Sequence, residues 1–303
     1  MSAPSRDLWI VDAPPVPMIA GRPRGNCITV IVPVLNNQHG IDRLLKSLAT
    51  TTDAACGPAM VVIVDNGSHP PVLIRDEADL PFPVRVEHEA IRGPAAARNA
   101  GARVATTDWL LFLDSDCVAS ASTISGYESE EAGPVAFSGG VKALGQDPWS
   151  GYYEAQAILE PVQHEGRPAY VVTANALIWK SAFDIVGGFD TGFRLAAGED
   201  IDLALRLRSI GVLSHCAESV VLHDFEEGFR PFWSRFVRYG RGNWWLADKY
   251  GYDLTPRPFR PRRSTWFNLA AAMTQFAGLS CGYHAARLTT LWHEMKATAG
   301  SSR

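Results

Sequence analysis

Two acids one residue apart, Asp114 and Asp116, close a run of four apolar residues, Leu110-Leu-Phe-Leu113. Paired hard oxygen donors at this spacing suit a Mg²⁺ or Mn²⁺ that keeps waters and takes substrate phosphates as further ligands. An Asp-rich turn that merely ends a strand is the competing reading. Three other groups could join such chemistry. Arg92 and Arg98 flank a helix start at Gly93-Pro94, which favours phosphate, although arginines are by default solvated surface charges. Glu199 and Asp200 follow Gly198 at the head of a run of helix formers, where capping is the simplest role for an acid. His223 ends the short run Val220-Val-Leu222, where a lone histidine is usually structural or on the surface.

The elements that must hold these residues alternate in type. Cys27-Ile-Thr-Val-Ile-Val-Pro-Val34 is a β-branched run with the character of a buried first strand, ended near Pro33. From Gln38 to Leu48, apolar residues at 41, 44, 45 and 48 predict a helix with one core face. Met60 to Asp65 is a second strand, so the pair is parallel with a right-handed crossover. Val84 to Glu87 is a third, followed by the Ala-rich helix after Arg92, and then the strand that delivers Asp114 to the carboxyl end of the sheet, where α/β folds bind ligands. Beyond it, strands are expected at Val135–Val141 and Ala169–Asn175, a short helix after Ser181, a helix from Gly198 to Gly211 with acids first and arginines last, and a strand at Val220–Asp224. Phe232 to Tyr250 is basic and aromatic, suited to a helix that packs on the domain and presents cations to a phosphate. Ser264 to Ala286 contains no Asp, Glu, Lys or Arg but is only weakly apolar. It reads as a packed or interfacial helical hairpin, with membrane-surface attachment as the less favoured alternative.

Composition narrows the class. The chain has 303 residues, 47% hydrophobic and 20% charged, which is ordinary for a globular protein able to bury a large core. A net charge of −4 gives no reason to expect nucleic-acid binding, and a metal can neutralise a nucleotide diphosphate locally. The five cysteines are scattered without C-x-x-C spacing, and prolines at 14, 15 and 17 interrupt any signal-peptide pattern, so a cytoplasmic protein with reduced thiols is expected.

Seven segments, in order, carry a resemblance: Ile31-Val-Pro-Val-Leu-Asn-Asn37, Val64-Asp-Asn-Gly-Ser68, Ala97-Arg-Asn-Ala-Gly101, Leu113-Asp-Ser-Asp116, Val186-Gly-Gly-Phe-Asp190, Gly198-Glu-Asp200 and Leu222-His223. Together they resemble the non-processive, inverting family 2 glycosyltransferases. The fold this implies is α/β of GT-A type, a Rossmann-like nucleotide-diphospho-sugar transferase with a mostly parallel central sheet flanked by helices and a C-terminal helical extension. The expected organisation is an irregular lead-in over 1–26, the transferase domain over 27–225 (nucleotide half 27–120, acceptor half 121–225), and the extension over 226–303.

The resemblance implies roles residue by residue. Asp65 accepts from the donor base, usually uracil; Pro33, Asn36, Arg92, Arg98, Asp114 and Ser115 belong to the donor nucleotide site. Asp116 and His223 ligate Mn²⁺ or Mg²⁺. Asp200 is the general base and Glu199 helps hold the acceptor, with Trp179 and Tyr153 as further acceptor contacts. A sugar hydroxyl is a poor nucleophile at neutral pH, and a positioned base contributes roughly 10²–10⁴ in rate. Base and metal on opposite sides of the anomeric carbon imply a single in-line displacement with inversion. Two departures stand out: Asp65-Asn-Gly-Ser68 replaces the commoner D-D-G-S, and the Q-x-x-R-W signature of processive synthases is absent, which favours single transfers. The expected partners are a nucleotide sugar, UDP-linked first, and an acceptor that is a small molecule, glycan, lipid-linked sugar or peptide; self-association is left open. A retaining GT-A enzyme, a nucleotidyltransferase and a non-catalytic nucleotide-sugar-binding protein are the rival readings.

Overall fold

The computed structural model describes residues 17–51, 57–75 and 77–300. The first 16 residues of the expected lead-in, and Cys56, lie outside them. The part of the lead-in that is described runs along the domain, where Met18 pairs with Gly211 and Ala20 with Gly133.

The N-terminal half alternates strand and helix: β1 (Ile28–Val34), α1 (Gln38–Thr51), β2 (Met60–Asp65), β3 (Val84–His88), α2 (Pro94–Val104) and β4 (Trp109–Leu113). There follow β5 (Cys117–Ala119), α3 (Ser125–Glu128), β6 (Ala136–Ala143), α4 (Pro148–Gln156), and the small hairpin β7 (Gln163–His164) and β8 (Arg167–Pro168). The chain closes with β9 (Asn175–Trp179), α5 (Lys180–Ile185), α6 (Glu199–Arg208), β10 (Leu213–His223), α7 (Phe229–Tyr250) and α8 (Trp266–Gly300).

Eight strands form one sheet in the order β3-β2-β1-β4-β9-β6-β10-β5. β9 and β5 run against the other six. This is the mostly parallel sheet expected, and β4, all five of whose residues are buried, sits at its centre. One apolar layer packs α1, through Ile41, Leu44, Leu45 and Leu48, on one face. The alanines of α2 and Leu203, Ala204 and Leu207 of α6 cover the other. A third, aromatic cluster joins α4 to α7 and α8, with Phe232 at its centre against Trp149, Tyr152 and Phe236.

Three expected elements differ. Residues 169–174 are bends and turns, and the strand starts only at Asn175, because its ladder partner β4 ends at Leu113 and nothing pairs with the residues before. The strand ending at His223 starts already at Leu213 and carries an irregularity between Cys216 and Val220. The apolar stretch after Ser264 is not a hairpin in itself: α8 is a single helix whose return partner is α7. No helix among the described residues is long and apolar enough to cross a membrane.

Candidate active site

A cleft of about 700 Å³ opens at the carboxyl ends of β1 and β4, and its walls include residues from α2, α6, α7 and α8. Asp114, Ser115 and Asp116 form the turn after β4, closed by Cys117 N–H donating to Asp114 O at 3.1 Å. The next three residues are β5, which pairs antiparallel with the end of β10 so that His223 lies opposite Cys117. Asp224 N–H donates to Asp116 O at 3.0 Å and fixes that register. Histidine and acid, 107 positions apart along the chain, are thus brought together by backbone pairing.

His223 Nε2 lies 3.4 Å from Asp116 Oδ1, yet the pair is not aligned as a hydrogen bond, and Asp116 Oδ1 and His223 Nδ1 are buried without hydrogen-bond partners. An orphaned carboxylate oxygen beside an imidazole is what a divalent cation would satisfy. Asp116, His223 and Cys117 place one potential ligand atom each within 4.8 Å of one another. Cys117 fits such an ion least: burial pushes its thiol well above the ordinary range, and it donates to Ala174 O at 3.5 Å. Burial also pushes the Asp116 carboxyl up; His223 opposes this and Asp114 adds to it. For Asp114 burial acts in the same sense but Arg98 outweighs it, holding the carboxyl below its usual range.

Arg98 is 1% exposed. Its guanidinium donates to Asp114 Oδ1 and to Glu199 Oε1, both at 2.8 Å, and lies 5.5 Å from the centre of the Phe189 ring. That saturates it. Both expected arginines line the cleft: Arg98 is held by two carboxylates, whereas Arg92, hydrogen-bonded to Asn66 O at 2.9 Å, has no carboxylate partner among the described residues. Glu199 lines the cleft with them. At 2% exposure it is paired to Arg98 through Oε1, while its Oε2 is buried without a hydrogen-bond partner.

Asp200, the next residue, is only partly buried and lines the cleft. Burial first, then the adjacent Glu199 charge, push its carboxyl up to about 7, with Arg98 pulling the other way. Gly198 positions both acids from a φ of 89°, where a Cβ would press on Phe193, Gly242 O and Leu246. Behind them Asp202, fully buried, accepts from Arg206 at 2.5 Å, Lys249 at 2.5 Å and Tyr250 at 2.7 Å, which ties α6 to α7.

The remaining expected residues divide. Pro33, Arg92, Asp114 and Ser115 line the cleft. Asp65 does not: it is 2% exposed and accepts from Ser68 N–H at 2.8 Å and Val72 N–H at 3.0 Å, closing the loop after β2, and its neighbour Asn66 reaches the cleft instead. Asn36, at a φ of 56°, holds the same loop through Ser68 Oγ and His69 N–H, each at 2.8 Å. Trp179 and Tyr153 are corrected as acceptor contacts. Trp179 pairs with Trp109 at the start of β4, the opposite end of the sheet from Asp114. Tyr153 is 1% exposed and stacks on Phe225 at 4.3 Å with Arg235 beside both rings, so it is packing. Not anticipated as site residues are Thr173, Arg194, Arg238, Asn243, Gln275 and Leu279, all lining the cleft. Arg238 and Asn243 lie in the basic, aromatic segment noted from sequence; nothing in the weakly apolar 264–286 stretch marked Gln275 or Leu279.

Comparison with known proteins agrees with this architecture. The family profile described as glycosyl transferase family 2 matches residues 29–127. A pre-mycofactocin glycosyltransferase from Mycobacterium tuberculosis is 31% identical over 241 residues, covering 76% of this chain and 49% of that protein. A validoxylamine A glucosyltransferase from Streptomyces hygroscopicus subsp. limoneus is 26% identical over 237 residues, covering 67% and 52%. The chain thus spans about half the length of these curated relatives. Among solved structures, a mannosyltransferase from Pyrobaculum calidifontis, in complex with GDP-Man and Mn²⁺, superposes with a TM-score of 0.52 at 17% identity, over 97% of this chain and 84% of that one. GalNAc-T7, solved with UDP, GalNAc and Mn²⁺, gives 0.50 at 15% identity, over 82% and 54%. With its sheet order, the cleft at the β4 carboxyl end and these matches, the chain belongs to glycosyltransferase family 2 and has a GT-A fold.

Proposed function

We propose that the protein transfers a single sugar from a nucleotide-diphosphate sugar, UDP-linked, to an acceptor hydroxyl, with inversion at the anomeric carbon. The observation that carries this reading is the pairing, in one cleft, of an orphaned Asp116 oxygen beside His223 with a partly buried Asp200 whose carboxyl is pushed up to about 7.

Asp116 and His223 would hold Mn²⁺ or Mg²⁺, which supplies Lewis-acid stabilisation of charge on the departing diphosphate. Pro33, Asn66 and Ser115 line the cleft where the nucleotide would lie, and Arg92 and Arg235 bring positive charge to the same cleft. Asp114, fixed by Arg98, presents its second oxygen to the donor. Asp200 takes the proton of the acceptor hydroxyl as its oxygen bonds to the anomeric carbon, while the bond from that carbon to the diphosphate oxygen breaks. A base that titrates near neutrality combines ionisation with useful basicity. Asp200 gains that property from its surroundings, and Glu199 serves it only through charge and through the Arg98 strut.

Single transfer is supported by Arg238-Tyr-Gly-Arg-Gly-Asn-Trp-Trp245 standing where a processive synthase carries its signature. The base of the donor is tested by calorimetric titration with UDP-, GDP- and dTDP-sugars, with Mn²⁺ and with chelator. UDP-sugar binding that needs the ion supports the reading. NMR of the first-formed product then decides the stereochemistry, and a retained anomer would overturn the in-line displacement by Asp200.

A further inference from the structure

The inner face of α8 packs on α7 and reaches the cleft through Gln275 and Leu279, but its outer face is covered by nothing among the described residues. Trp266 is 89% exposed, Met273 74% and Leu288 66%, and Leu291, Trp292 and Met295 continue the row. At about 100° per residue, the helix makes about eight turns from Trp266 to Met295 and returns to the same face within about 20°. The apolar residues at the two ends of the helix therefore share one side, with the exposed Ala277, Cys281 and His284 between them.

Charge says which surface. The chain as a whole is −4, but from Leu254 to Gly300 it carries six cations and one acid. Arg260, Arg262 and Arg263 are exposed just ahead of Trp266, with no ion-pair partner among the described residues. Arg287 and Lys296 flank the row on either side, and the Lys296 ammonium lies 3.6 Å from the centre of the Trp292 ring. Aromatics at both ends of an apolar row, with cations beside it that can reach headgroups, are the make-up of a helix lying in a membrane interface. No described helix can cross a bilayer, so the arrangement is one of lying along it.

We propose that the outer face of α8, with Arg260, Arg262 and Arg263, docks on an anionic lipid bilayer, so that one wall of the sugar-transfer cleft is the inner face of a membrane-bound helix. Docking rests on the surface alone and would stand whatever sugar the cleft transfers.

The test is co-sedimentation of the full chain with vesicles of phosphatidylcholine, with and without phosphatidylglycerol. The expected result is binding to the anionic vesicles that weakens with salt. It should fall about tenfold or more in Met273→Glu/Leu288→Glu, and comparably in Arg260→Glu/Arg262→Glu/Arg263→Glu, both with wild-type circular dichroism and nucleotide binding. The arginine variant alters exposed irregular chain and keeps the test sound if the helix variant misfolds. Wild-type protein that stays in the supernatant with anionic vesicles, or variants that bind as well as wild type, would overturn the proposal. So would a dimer in ultracentrifugation that Met273→Glu dissolves while the wild type ignores vesicles, because a second copy would then be the occupant.

Discussion

Arg98 and Glu199, 101 residues apart in the chain, meet in a fully buried 2.8 Å ion pair, and the same guanidinium holds Asp114 at 2.8 Å. One side chain of α2 therefore locks the head of α6 to the turn after β4, so Asp114 and the helix that carries Asp200 cannot shift independently.

Replacing Arg98 with Met is expected to destabilise the fold by about 3–5 kcal/mol, since it leaves two carboxylates in a desolvated site without a partner. Arg98→Lys keeps the charge but cannot fork to both acids, and should lose most of the activity at a smaller cost in stability. Urea denaturation and kcat for the two variants check this. Wild-type stability in Arg98→Met would mean that the strut carries no weight.

The Asp200 carboxyl makes a paired prediction about pH. As the base it must be ionised, so kcat/KM should rise about tenfold per unit below pH 7 and level off above it, and Asp200→Asn should lose about 10²–10⁴ of the rate. For stability the sign is opposite. A carboxyl raised from its unfolded value of about 4 favours the fold fully only below that value, and the contribution is lost as pH rises through about 7. Asp200→Asn should therefore be more stable than wild type at pH 8, by about 1–2 kcal/mol, and lose that advantage at pH 4. Melting temperatures of the pair at both pH values provide the measurement; equal differences at the two would sink the assignment.

Metal dependence is predicted to separate three neighbours. Asp116→Ala and His223→Ala should abolish the increment in nucleotide-sugar affinity that Mn²⁺ gives. Cys117→Ala, which removes a neutral thiol bonded to Ala174 O, should leave that increment within a few-fold of wild type. Titration calorimetry with and without chelator distinguishes them, and loss of the increment in Cys117→Ala would place the thiol among the ligands.

Sequence patterns exposed the nucleotide half well because its strands are continuous apolar runs and its helices have clean faces, as in Leu110–Leu113 and Ile41–Leu48. They exposed the residues of the site better than their duties. Glu199 and Asp200 are neighbours with one chemistry, yet consecutive helical side chains point about 100° apart, so one turns in to Arg98 and the other out to the cleft. Asp65 looks equally available in the chain, but the loop that follows spends both its oxygens on Ser68 and Val72. β5 left no signal at all: three residues long, it exists through pairing with a strand a hundred positions on. The role of α8 was hidden for the same reason, as its contacts with the cleft depend on how closely it approaches α7.

That approach is itself testable. Gly240 of α7 faces the Leu279 carbonyl, and Gly282 of α8 faces the Val237 carbonyl; a Cβ on either would fall inside the van der Waals distance of backbone that cannot turn aside. A Cβ on Gly278 would meet Phe236 Cβ at 3.0 Å in the same seam. Alanine normally stabilises a helix interior by up to about 1 kcal/mol over glycine. Here Gly240→Ala and Gly282→Ala are expected to do the reverse, costing about 1–3 kcal/mol as the helices are wedged apart. The displacement should also be felt in the cleft, because Arg238 and Tyr239 on α7 and Gln275 and Leu279 on α8 form its wall. KM for the acceptor should then rise more than the affinity for the donor nucleotide falls, since Asp116, in the turn between β4 and β5, and His223, at the end of β10, are anchored by the sheet and stay in place. Steady-state kinetics beside nucleotide titration of Gly282→Ala measure both, and an alanine variant as stable as wild type, with unchanged KM, would show that the two helices are not held at this distance in solution.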